Sequence, residues 1–289
     1  MFLLTLMACW GDAPVAGRAL GPGDDRPVWM FRENDGRWTR EPAPVAHSVS
    51  SLGLGVDGDQ LVLTMQCFWG DCGSESKRKT EGPPVHALTT TNLQDWKAAM
   101  WRLRDPEDRV PIDTEFRASA DGAKVWFYGT QAGAVGDPAK HRSPHTILSA
   151  SLVDGRLEHP RVWIQGGGLA DPAPLRVAGE TWLFLTTKPG MSVGLARGTP
   201  MKIVREWQGV SVPHAMIVGD AIWLWAQRVV NGRMVPVRSI SQDSGRTWSE
   251  WSAPLPVDDL AGCGNPVGAV FKGVPVVFCV TEPLGGPTQ

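Results

Sequence analysis

The chain has 289 residues, with 28 Lys and Arg against 30 Asp and Glu, a net charge of −2. That balance excludes a dedicated nucleic-acid binder, which needs a cationic surface to displace counterions. Apolar residues at 42% and charged residues at 20% exclude a disordered chain. Gly (33) and Pro (24) make up about one fifth of the residues, against a usual ~12%. They are spread along the whole length, and with them come 14 Trp and a single Tyr. Such punctuation leaves no room for long amphipathic helices and predicts short strands joined by turns, in an all-β sandwich, barrel or propeller.

Read from the start, residues 2–8 are apolar apart from Thr5, and Cys9 follows. Leu6-Met7-Ala8-Cys9 resembles the lipobox of bacterial lipoproteins, where signal cleavage leaves a lipid-modified cysteine. The resemblance implies lipidation of Cys9, a cell-envelope location, and membrane contact through that lipid alone. The apolar run is short and no Lys or Arg precedes it, contrary to the usual signal pattern; a start codon placed too late in the gene accounts for both. A membrane span needs ~20 apolar residues, and no stretch supplies them. Residues 10–26 read as a Gly/Pro/Ala/Asp tether, so the expected division is signal and tether over 1–26 and folded domain over 27–289. With Cys9 lipidated, Cys67, Cys72, Cys263 and Cys279 remain, an even set that reads as two disulfides in an oxidising compartment. The CxxC pairs of a zinc site are absent.

Beyond the tether a hairpin pattern recurs: an apolar stretch, a tight glycine turn, then an apolar or Trp-rich strand. The copies are LGLGVDGDQLVLTM (52–65), EFRASADGAKVWFYG (115–129), APLRVAGETWLFLT (173–186), AMIVGDAIWLWAQ (215–227) and GAVFKGVPVVFCV (268–280). Glycine tolerates the positive φ of a two-residue hairpin loop. Alternation after each turn is weak, so these strands are expected to be buried on both faces. A second strand pair follows four of the hairpins, at 85–98, 145–163, 191–207 and 237–251. The last hairpin has none, and VWMFRENDGRWTR (28–40) supplies the missing pair from the other end. Five four-stranded units, the last closed by the N-terminal strands, predict a five-bladed β-propeller, whose radial closure protects its strand edges. A two-sheet sandwich is the alternative. SQDSGRTW (241–248) resembles the Asp box of sialidase-like propellers at Ser241, Asp243, Gly245, Thr247 and Trp248, which implies a structural turn away from the axis.

In a propeller the innermost strands start near one mouth of the axis. Polar residues just before the five hairpins should therefore converge: His47, Asp113, Asp171, His214 and Asn265. PIDTEFRASADGAKVWFYG, ADPAPLRVAGETWLFLT and VPHAMIVGDAIWLW resemble inner-strand segments of five-bladed glycosidases of the arabinanase and xylosidase type, glycoside hydrolase family 43. Those enzymes invert configuration with a base, an acid and a third carboxylate that tunes the acid. The resemblance implies Asp113 as base and Asp171 as tuning carboxylate. Where the family has Glu-Gly-Pro this chain has Ser211-Val212-Pro213, and Val212 transfers no proton. Glu115, two residues from Asp113 and so on the same strand face, is the substitute acid. Arg117, His47, His214, Asn265 and Trp69 are candidate substrate contacts, Trp69 because its long loop would overhang a mouth. Resemblance to some family members also admits a central calcium near His214; no other cofactor is implied.

Two functions follow. One is an exported, lipid-anchored, monomeric glycoside hydrolase acting on a polysaccharide at the axial mouth. The other is a non-catalytic carbohydrate- or protein-binding propeller that has lost the general acid. A true sialidase is the weakest reading. The only tyrosine, Tyr128, is expected in an outer-going strand, and Phe31-Arg32-Glu33-Asn34 lacks the Ile-Pro of the sialidase motif.

Overall fold

The computed structural model describes residues 26–46, 51–66, 85–103, 109–119, 121–131, 145–188, 192–260 and 262–281. Cys9, His47, Cys67, Trp69 and Cys72 lie outside them. Every regular element among the described residues is a strand, and none is a helix that could cross a membrane.

The N-terminal pair is β1 (Val28–Asn34) and β2 (Arg37–Arg40). The next four strands are β3 (Ser51–Asp57), β4 (Gln60–Gln66), β5 (Val85–Thr90) and β6 (Lys97–Leu103). They are followed by β7 (Arg109–Ser119), β8 (Gly122–Gln131), β9 (His145–Val153) and β10 (Arg156–Gly166). A third set comprises β11 (Ala170–Val177), β12 (Glu180–Lys188), β13 (Ser192–Arg197) and β14 (Lys202–Gln208). The fourth is β15 (Ser211–Val218), β16 (Ala221–Val230) and β17 (Arg233–Ser241), and β18 (Gly264–Phe271) and β19 (Val274–Val280) open the fifth.

Each set is an antiparallel meander, and β1 pairs with β19, so that the N-terminal pair completes the fifth blade in the order β18-β19-β1-β2. Blades one and two fuse into one eight-stranded sheet through a short parallel contact of β6 with β10. The buried apolar residues fall into separate clusters, each between consecutive blades. Leu54 and Leu63 meet Phe278 between the fifth and first, and Val85 and Trp101 meet Phe127 between the first and second. Ile112 meets Leu183, Phe184 meets Leu224, and Trp225 meets Phe31 at the remaining three. Because the last cluster joins the fourth blade to the blade that also packs on the first, the ring is closed. The molecule is a five-bladed β-propeller closed by its N-terminal strands, and the sandwich alternative is excluded.

One unit departs from expectation. Residues 237–251 form a single strand and a turn rather than a strand pair. After β17 the chain bends through Ser241–Trp248, where Asp243 accepts from the Thr247 amide (2.8 Å) and hydroxyl (2.6 Å) and from the Ser241 hydroxyl (2.9 Å). These bonds hold the exposed Asp243 carboxyl down at a pKa of about 2, the Thr247 hydroxyl contributing most. Trp248 then packs on Phe184 and Trp207 of the third blade, at ring separations of 6.0 and 5.4 Å. The turn consumes the residues a fourth strand would need, and only the isolated bridge Arg238–Ser252 remains at that edge. In the fifth blade a disulfide joins Cys263 to Cys279 across β18 and β19, with Cα atoms 5.6 Å apart.

Candidate functional site

The inner strands carry one irregularity repeated from blade to blade. In β7, β11, β15 and β18 the pairing with the second strand slips by one residue near the strand start. The non-glycine residue at each slip sits in the left-handed region: Asp113 at φ 47°, Asp171 at 49°, Val212 at 51° and Asn265 at 51°. Such a conformation costs about 1–3 kcal/mol where a side chain is present and gathers at functional sites. Each of these residues stands six before the last paired residue of its inner strand: Ser119, Val177, Val218 and Phe271. Counting six back from Asp57, the end of β3, gives Ser51 in the first blade. The ring at the mouth is therefore Ser51, Asp113, Asp171, Val212 and Asn265. The last four line one small cavity of about 10 Å³, near the minimum that admits a single water.

Asp113 and Asp171 act as a unit. Each keeps some accessible surface while protein packs round its carboxyl. Burial pushes Asp113 well above the ordinary carboxyl range, and the charge of Asp171 and a hydrogen bond between the two side chains add to the rise. Ser51 works the other way, although its Oγ makes no well-formed hydrogen bond. Burial also raises Asp171, but the Thr186 hydroxyl, the bond from Asp113 and the nearby His145 all lower it. The shared proton therefore resides on Asp113, and Asp171 is the charged member, since two adjacent carboxylates cannot both ionise cheaply. Thr186 Oγ1 donates to Asp171 Oδ2 at 2.6 Å and accepts the Val212 amide at 3.0 Å. Behind the pair, Tyr128 stacks on His145 with ring centres 4.8 Å apart. His145 Nδ1 lies 2.8 Å from the Leu169 carbonyl oxygen. Burial, followed by the two aspartates, pushes the Tyr128 hydroxyl well above its usual pKa.

Deeper on the axis lies a second set. Glu115 is 3% exposed. Its Oε2 accepts the Leu54 amide at 3.1 Å, and its Oε1 pairs with Arg117 Nη1 and stands 3.3 Å from His214 Nδ1. Arg117 reaches the carbonyls of Leu54, Pro174 (2.8 Å) and Ala215 (3.1 Å), touching the first, third and fourth blades from the second. His214 Nε2 lies 2.6 Å from the Gly268 carbonyl oxygen on the fifth. Burial lowers the Arg117 pKa and Glu115 opposes that. The close approach of the inner strands needs glycine at position 53. A Cβ there would stand 1.9 Å from the Thr114 carbonyl oxygen.

The fold thus brings Asp113, Asp171 and Asn265 together at the mouth. Glu115 lines the same cavity, but its carboxylate is bound by Arg117 and the Leu54 amide. Arg117 and His214 sit below as an axial plug, and Val212 takes the ring position two residues ahead of His214. The guanidinium at the centre makes these residues a poor fit for a bound calcium. Among the described residues no group of three His, Cys, Asp or Glu side chains forms a metal-binding cluster. Sequence reasoning missed Ser51, Thr186, Tyr128 and His145. Counting back from the end of β3 would have found Ser51. Tyr128 lies opposite Ile112 in the register, and its side chain faces the aspartates rather than an outer surface.

A five-bladed β-propeller is the class that this fold defines, and its solved neighbours include glycosidases. The chain superposes on an α-L-arabinofuranosidase from Lactobacillus brevis with a TM-score of 0.58 at 9% identity, over 84% of this chain and 86% of that one. An exo-β-1,3-galactanase from Phanerochaete chrysosporium, solved with galactose, gives 0.55 at 9% identity over 80% of this chain. The chain spans 60% of the galactanase's length. An α-L-arabinofuranosidase of family 43 from Clostridium thermocellum gives 0.51 at 10% identity, over 77% and 79% of the two chains. No protein-family model and no curated protein matches the sequence.

Proposed function

We propose that this protein is an exported carbohydrate-binding propeller, anchored through lipid on Cys9, that reads sugar hydroxyls at the axial mouth and does not hydrolyse them. The observation that carries this reading is that, among the described residues, no uncommitted carboxyl lines the cavity besides Asp113 and Asp171. Carboxyls that cleave a glycosidic bond stand roughly 5–5.5 Å apart for retention or 6.5–9.5 Å for inversion. Asp113 and Asp171 share one cavity of single-water size and serve as one group, so a second, separate carboxyl would be needed across the bond. Among the described residues the remaining carboxyl of the cavity is Glu115, and its partners commit it to the axial plug. What remains at the mouth is an acceptor carboxylate, a protonated carboxyl and an amide side chain. Donors and acceptors held in this way suit sugar hydroxyls. The neighbours in fold include enzymes solved with galactose and acting on galactan and arabinofuranosides, which makes neutral polysaccharides of that kind the ligands to test. The Cys263–Cys279 disulfide supports an oxidising, exported setting.

The test is calorimetric titration of the full chain with β-1,3-galactan and arabinan oligosaccharides, alongside turnover of the matching aryl glycosides. Saturable binding without turnover, weakened at least tenfold in Asp171→Asn, is expected. Turnover abolished by Asp113→Asn would instead make the protein a hydrolase. The observation favouring that second reading is that burial and the neighbouring Asp171 raise the Asp113 carboxyl well above the ordinary range, the direction a general acid needs. Loss of labelled palmitate incorporation in Cys9→Ser tests the anchor.

A further inference from the structure

A second concave feature lies away from the axis, where the fourth and fifth blades meet at their outer strands. It encloses about 380 Å³, within the range of about 300–1,000 Å³ typical of small-ligand sites. One wall is the β1–β2 hairpin, with Glu33, Arg37 and Trp38, and the other carries Trp223 and Arg238. The rim is a Pro-Leu-Pro turn at 254–256. Nothing in the axial reading uses these residues.

Arg238 is the unusual member. Its guanidinium lies 4.2 Å from the ring centre of Trp223 and 5.5 Å from that of Trp225. Its Nε is buried without a hydrogen-bond partner. A desolvated donor left unpaired is expensive. Burial lowers its pKa, and only the field of Glu33 opposes this. Glu33 itself spends Oε1 on the Gly36 amide at 2.9 Å. Arg37 adds a second cation on the exposed edge. The groove therefore holds two guanidinium groups against one carboxylate, one of them stacked, fixed in orientation and short of an acceptor. Guanidinium forks match a carboxylate in two-pronged geometry, more strongly where water is excluded. The indole and proline walls offer flat apolar faces to whatever carries that carboxylate.

We infer that this groove is a second saccharide site, selective for a hexuronic acid unit whose carboxylate pairs with Arg238 and whose ring packs against the Trp and Pro walls. The cavity admits a pyranose ring, and the balance of cations over acid excludes a cationic ligand. A neutral sugar would leave the two guanidinium groups of the groove without an anionic partner. The inference is independent of whether the axial mouth binds or cleaves its ligand.

The test is calorimetric titration of the full chain at low salt with three probes: trigalacturonate, its carboxyl-reduced neutral counterpart, and hexaglutamate. Trigalacturonate should bind, and the neutral trimer and the peptide should bind at least tenfold more weakly. Arg238→Gln should weaken trigalacturonate at least tenfold. Its stacking on two indoles makes loss of fold a hazard, so two surface variants decide the matter. Arg37→Ala should weaken binding severalfold, and Glu33→Gln, which removes the opposing charge but keeps the acceptor for Gly36, should tighten it. Equal binding of the neutral trimer, equal binding of hexaglutamate, no detectable binding of trigalacturonate, or wild-type affinity in both surface variants would overturn the assignment.

Discussion

Arg117 separates an architectural from a ligand-binding role most sharply. The substitution Arg117→Met keeps most of the side-chain volume and removes the charge. The carbonyls of Leu54, Pro174 and Ala215 then lose their donor, and Glu115, 3% exposed, loses its cation. Breaking a buried pair by removing one partner costs about 3–5 kcal/mol. For a chain of this size each kcal/mol moves the melting temperature by roughly 2–4 °C. The expected drop is therefore about 6–20 °C, read by calorimetry or far-ultraviolet dichroism. Adding Glu115→Gln should return part of the loss, because the stranded carboxylate is then neutral. The mouth is a different matter. Arg117 lies beneath it, so ligand affinity at temperatures where the variant is folded should change little. A melting temperature within ~2 °C of wild type, coupled with lost carbohydrate binding, would refute the axial-plug assignment and make Arg117 a ligand contact.

Three further outcomes follow from the same geometry. Asp113 and Asp171 are both raised in the folded state. The folded protein therefore holds more protons than the unfolded chain above the ordinary carboxyl range, and stability falls as pH rises through the raised Asp113 value. Asp113→Asn, whose amide still donates to Asp171, should flatten that fall in urea titrations between about pH 4 and pH 8; parallel profiles would contradict the shared proton. Gly53→Ala places a Cβ 1.9 Å from the Thr114 carbonyl and 2.5 Å from Thr64 Oγ1, and should cost about 1–3 kcal/mol or more by overpacking. It should also weaken axial binding by displacing the backbone beside Asp113, and an unchanged thermal transition would show that the inner strands are not held in this contact. Replacing Cys263 and Cys279 by Ala opens a link across a sequence separation of 16 and should lower stability by roughly 3 kcal/mol; an unchanged urea midpoint would mean the bond does not form.

The blades were legible because each is announced by a tight glycine turn between apolar stretches, and because the N-terminal pair matched the one hairpin without a successor. The fourth blade misled because a turn rich in short polar side chains competes with strand for the same residues, and the bonds of Asp243 decide in favour of the turn. At the site, Asp113, Asp171 and Asn265 were recoverable from their place before the hairpins. His214 was not placed correctly, because it stands four residues before the end of β15 whereas the other mouth residues stand six before the ends of theirs, which gives the mouth position to Val212. Strand alternation gave Glu115 the same face as Asp113. The slip between Ile112 and Glu115 intervenes, and the short contact allowed by Gly53 draws Glu115 to the Leu54 amide. Tyr128 and His145 stayed hidden because nothing local marks a polar residue on a second or third strand as facing inward. Only the register across strands reveals it.

Val212 shows why hydrophobic side chains can stand in such a ring. A β-branched residue in the left-handed region is a genuine outlier, so something must hold it there. Its side chain offers no chemistry, but its amide does. The slipped register turns Val212 N–H toward Thr186 Oγ1, and Thr186 in turn donates to Asp171. A hydroxyl that accepts from an amide is polarised to donate more strongly, and the gain falls on the charged member of the aspartate pair. The backbone at this position thus helps to fix which aspartate keeps the proton, whatever side chain it bears. In the Glu-Gly-Pro pattern of the resembling glycosidases the glutamate falls at Ser211, next to this backbone contact, and the glycine falls at Val212. The arrangement biases the proton toward Asp113 and leaves Asp171 the charged member.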